Sequence, residues 1–91
     1  MTQTAKHIIF VGRVQGIGFR FTAHSIANRY GLTGFVRNLP EGSVEMLVQG
    51  PPDDVTDCIN HIEESFRSYI RQTKAQDIPP NPQYQDFRIT F

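Results

Sequence analysis

The feature that most constrains this chain is a change of period near its start. Residues 7–14 hold Ile8, Ile9, Phe10, Val11 and Val14, a β-rich run too apolar for a strand wetted on both sides, so it predicts a central strand. Gly16 and Gly18 then break the run. From residue 19 to 30 the apolar positions Phe19, Ala23, Ile26, Ala27 and Tyr30 recur at helical spacing, and Gly31 is placed to stop that helix in a left-handed cap. A strand, a glycine-rich turn and a helix are thus dictated within the first third of the chain.

Residues 33–38 and 43–49 read as two short strands, the second alternating Val44, Met46 and Val48 with Glu45 and Gln49. Leu39-Pro40-Glu41-Gly42 between them carries the proline and glycine of a tight hairpin. After Gly50-Pro51-Pro52, Asp53 or Asp54 can cap a second helix with Val55, Ile59, Ile62 and Phe66 on its core face. Residues 69–78 read as a weaker, polar strand. Pro79-Pro80-Asn81-Pro82 forces a loop, and Phe87, Ile89 and Phe91 alternate in a last strand. The predicted class is α+β: a ferredoxin-like βαββαβ sandwich, with an antiparallel sheet and two helices on one face.

At 91 residues the whole span, 1–91, is expected to be a single domain. Nine basic and nine acidic residues cancel, so no net field draws the chain to nucleic acid or anionic lipid, and an anion must be captured locally. One cysteine, Cys58, makes no internal disulfide, and the absence of CxxC or clustered Cys and His predicts no metal and no cofactor. No apolar run reaches the roughly 20 residues of a membrane span. A cytoplasmic monomer without membrane or nucleic-acid partners is the expectation.

The turn Val14-Gln15-Gly16-Ile17-Gly18-Phe19-Arg20 sets two glycines and an arginine against a helix start. Glycines permit the positive φ angles that let successive N–H groups converge, the helix start adds unpaired donors, and a planar guanidinium can grip two phosphate oxygens. The same residues could equally make a tight connection and a solvated charge. GxxxxGK[ST] is absent and GxGxxG fails at Phe21, which excludes nucleotide-type loops. A phosphocysteine route fails because Cys58 reads as a buried hydrophobe in the second helix. Asn38, at the end of the second strand, can accept from a water and donate to an oxyanion without titrating, or can serve as a turn residue. His7, His24 and His61 read as surface or packing residues.

Taken together, Gly12-Arg13-Val14-Gln15-Gly16-Ile17-Gly18-Phe19-Arg20 resembles the acylphosphatase signature G-x-V-Q-G-V-G-F-R, with Ile17 in place of valine. Gly34-Phe35-Val36-Arg37-Asn38 and Glu41-Gly42-Ser43-Val44-Glu45 are similar to the family's second pattern, with Phe35 where tryptophan is frequent. The resemblance implies hydrolysis of a small acyl phosphate to a carboxylate and inorganic phosphate without a metal. It implies that Arg20 and the amides of Gln15, Gly16, Ile17, Gly18 and Phe19 bind the phosphoryl group while Asn38 holds the attacking water. The alternative is a non-catalytic module that keeps the cradle to dock phosphorylated partners.

Overall fold

The computed structural model describes residues 2–91. In chain order the elements are β1 (Thr4–Gly12), α1 (Phe19–Arg29), β2 (Thr33–Asn38), β3 (Val44–Gly50), α2 (Pro52–Ser65), β4 (Ile70–Ile78) and β5 (Phe87–Thr90). The strands form one sheet in the order β4-β1-β3-β2-β5. Because side chains alternate along a strand, the register sets Ile8 opposite Met46, Phe10 opposite Val44 and Val36 opposite Met46, all on one face. These residues share a single buried cluster with Phe19, Ala23, Ile26 and Ala27 of α1 and Val55, Cys58, Ile59 and Ile62 of α2. Both helices therefore cover the same face of the sheet.

The expected α+β sandwich is what the chain forms, with two differences of detail. Residues 70–78 and 87–90 both join the sheet, at opposite edges, so the βαββαβ order carries one strand more. The sheet is mixed rather than antiparallel throughout, since β5 runs parallel to β2 with Val36 opposite Ile89. The loop that precedes β5 delivers it at the start of β2, where Gly34 N–H donates to the Asp86 carbonyl at 2.9 Å.

Local boundaries follow from local chemistry. Helix α1 ends in a Schellman turn: Gly31, at φ 69°, donates to the Asn28 carbonyl at 3.0 Å and Leu32 to that of Ala27 at 3.0 Å. Helix α2 starts at Pro52 with Pro51 before it, and neither Asp53 nor Asp54 is the cap that the sequence suggested. Proline at the first helical position has no N–H to satisfy, so the two carboxylates act from the first turn through the helix dipole instead. Strand β1 begins at Thr4 rather than His7, because residues 4–6 pair with β3, and residues 5–6 with β4 as well. It ends at Gly12 in a register shift, where Arg13 N–H donates to the Tyr69 carbonyl at 3.0 Å. The polar look of residues 69–78 is explained by β4 being an edge strand, exposed along most of its length.

Candidate active site

Where β1 releases the chain, Gly16 (φ 76°) and Gly18 (φ 78°, ψ 18°) both take the left-handed conformation, and Gly18 is the N-cap of α1. A Cβ added at either position meets nothing within 4 Å, so backbone angle and not crowding demands glycine here. A glycine cap brings no side-chain oxygen to the helix start, and no acid occupies the first turn. Among the described residues, no backbone amide from Val14 to Phe21 donates to a protein acceptor. The result is a run of free N–H donors at the positive end of a helix dipole, the arrangement that binds anions.

Arg20 lies in the first turn of α1, half-buried. Its Nη1 donates to the Thr90 carbonyl at 3.4 Å, and its guanidinium stands 4.9 Å from the centroid of the Phe91 ring. Among the described residues it has no carboxylate partner, whereas Arg37 is paired with Glu45 and Arg88 with Asp86. Asn38 is the last residue of β2 and, by strand alternation, points to the same face as Val36. No protein group is hydrogen-bonded to its carboxamide among the described residues.

These groups meet in a single cleft of about 300 Å³. Gly16, Gly18, Arg20 and Asn38 form its polar wall, and Val14, Phe19, Phe21, Ile89 and Phe91 its apolar one. Of the residues singled out from the sequence, Gly16, Gly18, Phe19, Arg20 and Asn38 are thus brought together. The side chains of Gln15 and Ile17 are not part of the lining. Ile17 packs on the core, and Gln15 Nε2 donates to the carbonyls of Leu39 at 2.8 Å and Ser43 at 2.9 Å. Gln15 therefore fastens the glycine loop to the hairpin that carries Asn38, a role invisible in the sequence because its partners lie 24 and 28 residues away. Phe21, Ile89 and Phe91 complete the lining of the cleft and are not singled out for it by the sequence. Phe21 could have been noticed, since it follows Arg20 and falls off the apolar spacing of α1.

Other reactive groups sit elsewhere. His7 Nε2 is 2.8 Å from Glu45 Oε2 on the sheet face that carries no helix, where Arg37 also reaches Glu45. Burial of Glu45 works to raise its pKa, but the hydrogen bonds and charges of His7 and Arg37 outweigh it and hold the carboxyl below its ordinary value. His24 lies 6.1 Å from the Phe87 ring and His61 6.4 Å from that of Tyr30, as packing residues. Cys58 is fully buried, and desolvation pushes its thiol up to about 12.

A family model described as Acylphosphatase matches residues 6–89. An acylphosphatase of Bacillus pumilus (strain SAFR-032) is 39% identical over 84 residues, covering 91% of this chain and 93% of the relative. One of Marinobacter nauticus is 35% identical over 91 residues, covering 99% of each. Among solved structures, the crystal structure of acylphosphatase from Bacillus subtilis matches with a TM-score of 0.90 at 28% identity, covering 97% of this chain and 99% of that one. Full-length HypF in its phosphate- and nucleotide-bound form matches with a TM-score of 0.87 at 29% identity, over 99% of this chain but 12% of that much longer one.

Proposed function

The chain belongs to the acylphosphatase family and hydrolyses acyl phosphates, and from that premise we propose that its glycine loop, Arg20 and Asn38 carry the reaction. The observation that supports this reading is the convergence of free loop amides, an arginine without a carboxylate partner and an unengaged carboxamide on one cleft.

The amides of residues 15–19 and the guanidinium of Arg20 hold the non-bridging phosphoryl oxygens, which carry the charge throughout the transfer. Asn38 accepts a hydrogen bond from a water and fixes it in line with the bond that breaks. The water oxygen bonds to phosphorus, the anhydride oxygen leaves with its electron pair as a carboxylate, and the water's proton passes to the phosphate product or to solvent. The departing carboxylic acid has a pKa of about 4 to 5, so its anion leaves without a proton donor at neutral pH. Positioning and charge stabilisation suffice. The reading includes no metal, and it takes residues 1–91 as one catalytic domain acting as a cytoplasmic monomer on small substrates.

Purified protein assayed on benzoyl phosphate with a chelator present tests the proposal directly, with inorganic phosphate as inhibitor. Arg20→Ala removes the one full charge from the cleft lining, and a charge-assisted bidentate contact of about 3 kcal/mol predicts inhibition weakened by about a hundredfold or more. Unchanged inhibition would refute the cradle. Asn38→Ala is expected to lower kcat by about 100- to 1,000-fold with little change in phosphate inhibition, since water orientation counts only as the transition state forms. Equal losses in both parameters would make Asn38 a structural residue.

A further inference from the structure

Phe21 is 72% exposed and Phe91 93% exposed, a large apolar surface to leave in water, and both border the cleft that holds Arg20 and Asn38. Ile89, on β5, lines the same cleft and is half-buried against the core. Beyond the cradle the lining carries no charged side chain other than Arg20. A substrate whose phosphoryl group occupies the loop must project its acyl group along this apolar wall. A second carboxylate or phosphate on that acyl group would find no cationic side chain there beyond the Arg20 already engaged by the phosphoryl group, and would lose part of its hydration. The cleft volume, about 300 Å³, is at the lower end for small-molecule sites and suits one phosphoryl group with one compact acyl group.

We propose that Phe21, Ile89 and Phe91 form an acyl-group site that makes this enzyme selective for uncharged apolar acyl phosphates, aromatic ones above all, with Phe21 the principal specificity residue. The inference rests on the hydrolytic reading of the cleft. An aromatic acyl group can meet the exposed ring of Phe21 edge-to-face or offset, gaining both apolar burial and ring–ring geometry. Phe91 has a second duty, because its ring also stands over the Arg20 guanidinium, so Phe21 is the cleaner residue to change.

The test compares kcat/KM for benzoyl phosphate and acetyl phosphate in the wild type, in Phe21→Ser and in Phe21→Leu. Intrinsic reactivity of the two anhydrides differs, but it cancels when the benzoyl-to-acetyl ratio is compared between variants. Phe21→Ser is expected to lower that ratio about tenfold, and Phe21→Leu, which keeps an apolar surface, to lower it by about threefold or less. Because Phe21 is largely exposed, neither change removes core packing. A ratio in Phe21→Ser within twofold of the wild type, with both substrates still hydrolysed, overturns the acyl site and leaves the hydrolytic reading standing. Failure of the wild type to hydrolyse either substrate overturns both.

Discussion

Replacing Gln15 by alanine isolates the link between the two halves of the proposed catalytic cleft. Gln15 directly precedes Gly16 of the cradle, and its two acceptors, Leu39 and Ser43, belong to the hairpin that Asn38 enters. The alanine variant loses both hydrogen bonds, yet neither carbonyl is orphaned: that of Leu39 still accepts from Gly42 N–H at 3.1 Å and that of Ser43 from Leu39 N–H at 2.9 Å. The cost is then two net hydrogen bonds without an added desolvation penalty, about 1 to 2 kcal/mol, or a fall in Tm of about 4 to 16 °C for a domain of this size. The larger effect is on rate. With the tie gone, cradle and Asn38 can drift apart, and a displacement of about 1 Å costs up to about a hundredfold in rate. Thermal melts and steady-state kinetics on benzoyl phosphate should therefore show kcat lowered by about 10- to 100-fold, with inhibition by inorganic phosphate weakened only slightly because Arg20 and the amides remain. Gln15→Glu should be the less stable of the two, since a carboxylate cannot donate and faces two carbonyl oxygens. A lower Tm with kcat intact would refute the positioning role and leave Gln15 a purely structural tie.

Two glycines should respond differently to alanine. At Gly34 (φ 138°) a Cβ would stand 1.9 Å from the Leu47 carbonyl oxygen of the neighbouring strand, so the backbone must shift and a loss above about 3 kcal/mol is expected in chemical denaturation. At Gly16 (φ 76°) a Cβ meets nothing, and only the left-handed conformation is strained, at about 1 to 2 kcal/mol; equal losses at both sites would contradict this geometry. Glu45 has its folded pKa held below the ordinary 4.5, so its contribution to stability is complete above that value and is lost as pH falls through the lower folded value. Denaturation midpoints followed between about pH 3 and pH 6 should decline less steeply on the acid side in Glu45→Gln, and an unaltered slope would argue that His7 and Arg37 do not stabilise the carboxylate.

What the sequence made legible is what is settled locally. The two glycines, the helix start behind them and the hairpin turn at residues 39–42 each follow from backbone preferences of a few neighbouring residues, and the core stripes of α1 and α2 from their spacing. What it concealed depends on distant pairing. That β1 reaches back to Thr4 is decided by β3 and β4, which supply its partners from 44 to 78. Ile89 and Phe91 reach the cleft only because β5 pairs in parallel with β2, an arrangement no run of four residues can announce. Gln15 could be read as a loop amide, but the target of its side chain exists only once hairpin and cradle are side by side. The start of α2 failed for another reason: two aspartates that look like caps were outranked by a proline pre-set for the first helical turn.

The two helix starts differ in how their positive ends are compensated, which supports the proposal that the first of them takes an anion. Helix α2 opens with Asp53 and Asp54, whose carboxylates answer its own positive end. Helix α1 opens with a glycine cap that has no side chain to bond the free amides, has no acid in its first turn, and adds Arg20 to a dipole already positive. Arg20 is held by neutral groups, a carbonyl and an aromatic face, so in the proposed site a phosphoryl group would gain its charge without displacing an internal carboxylate. In the proposed mechanism binding costs the site only the water on its donors, and the same donors would follow the charge as it redistributes over the phosphoryl oxygens in the transition state. The fold thus leaves local positive charge uncompensated at one place and cancels it at the other, within a chain whose formal net charge is zero.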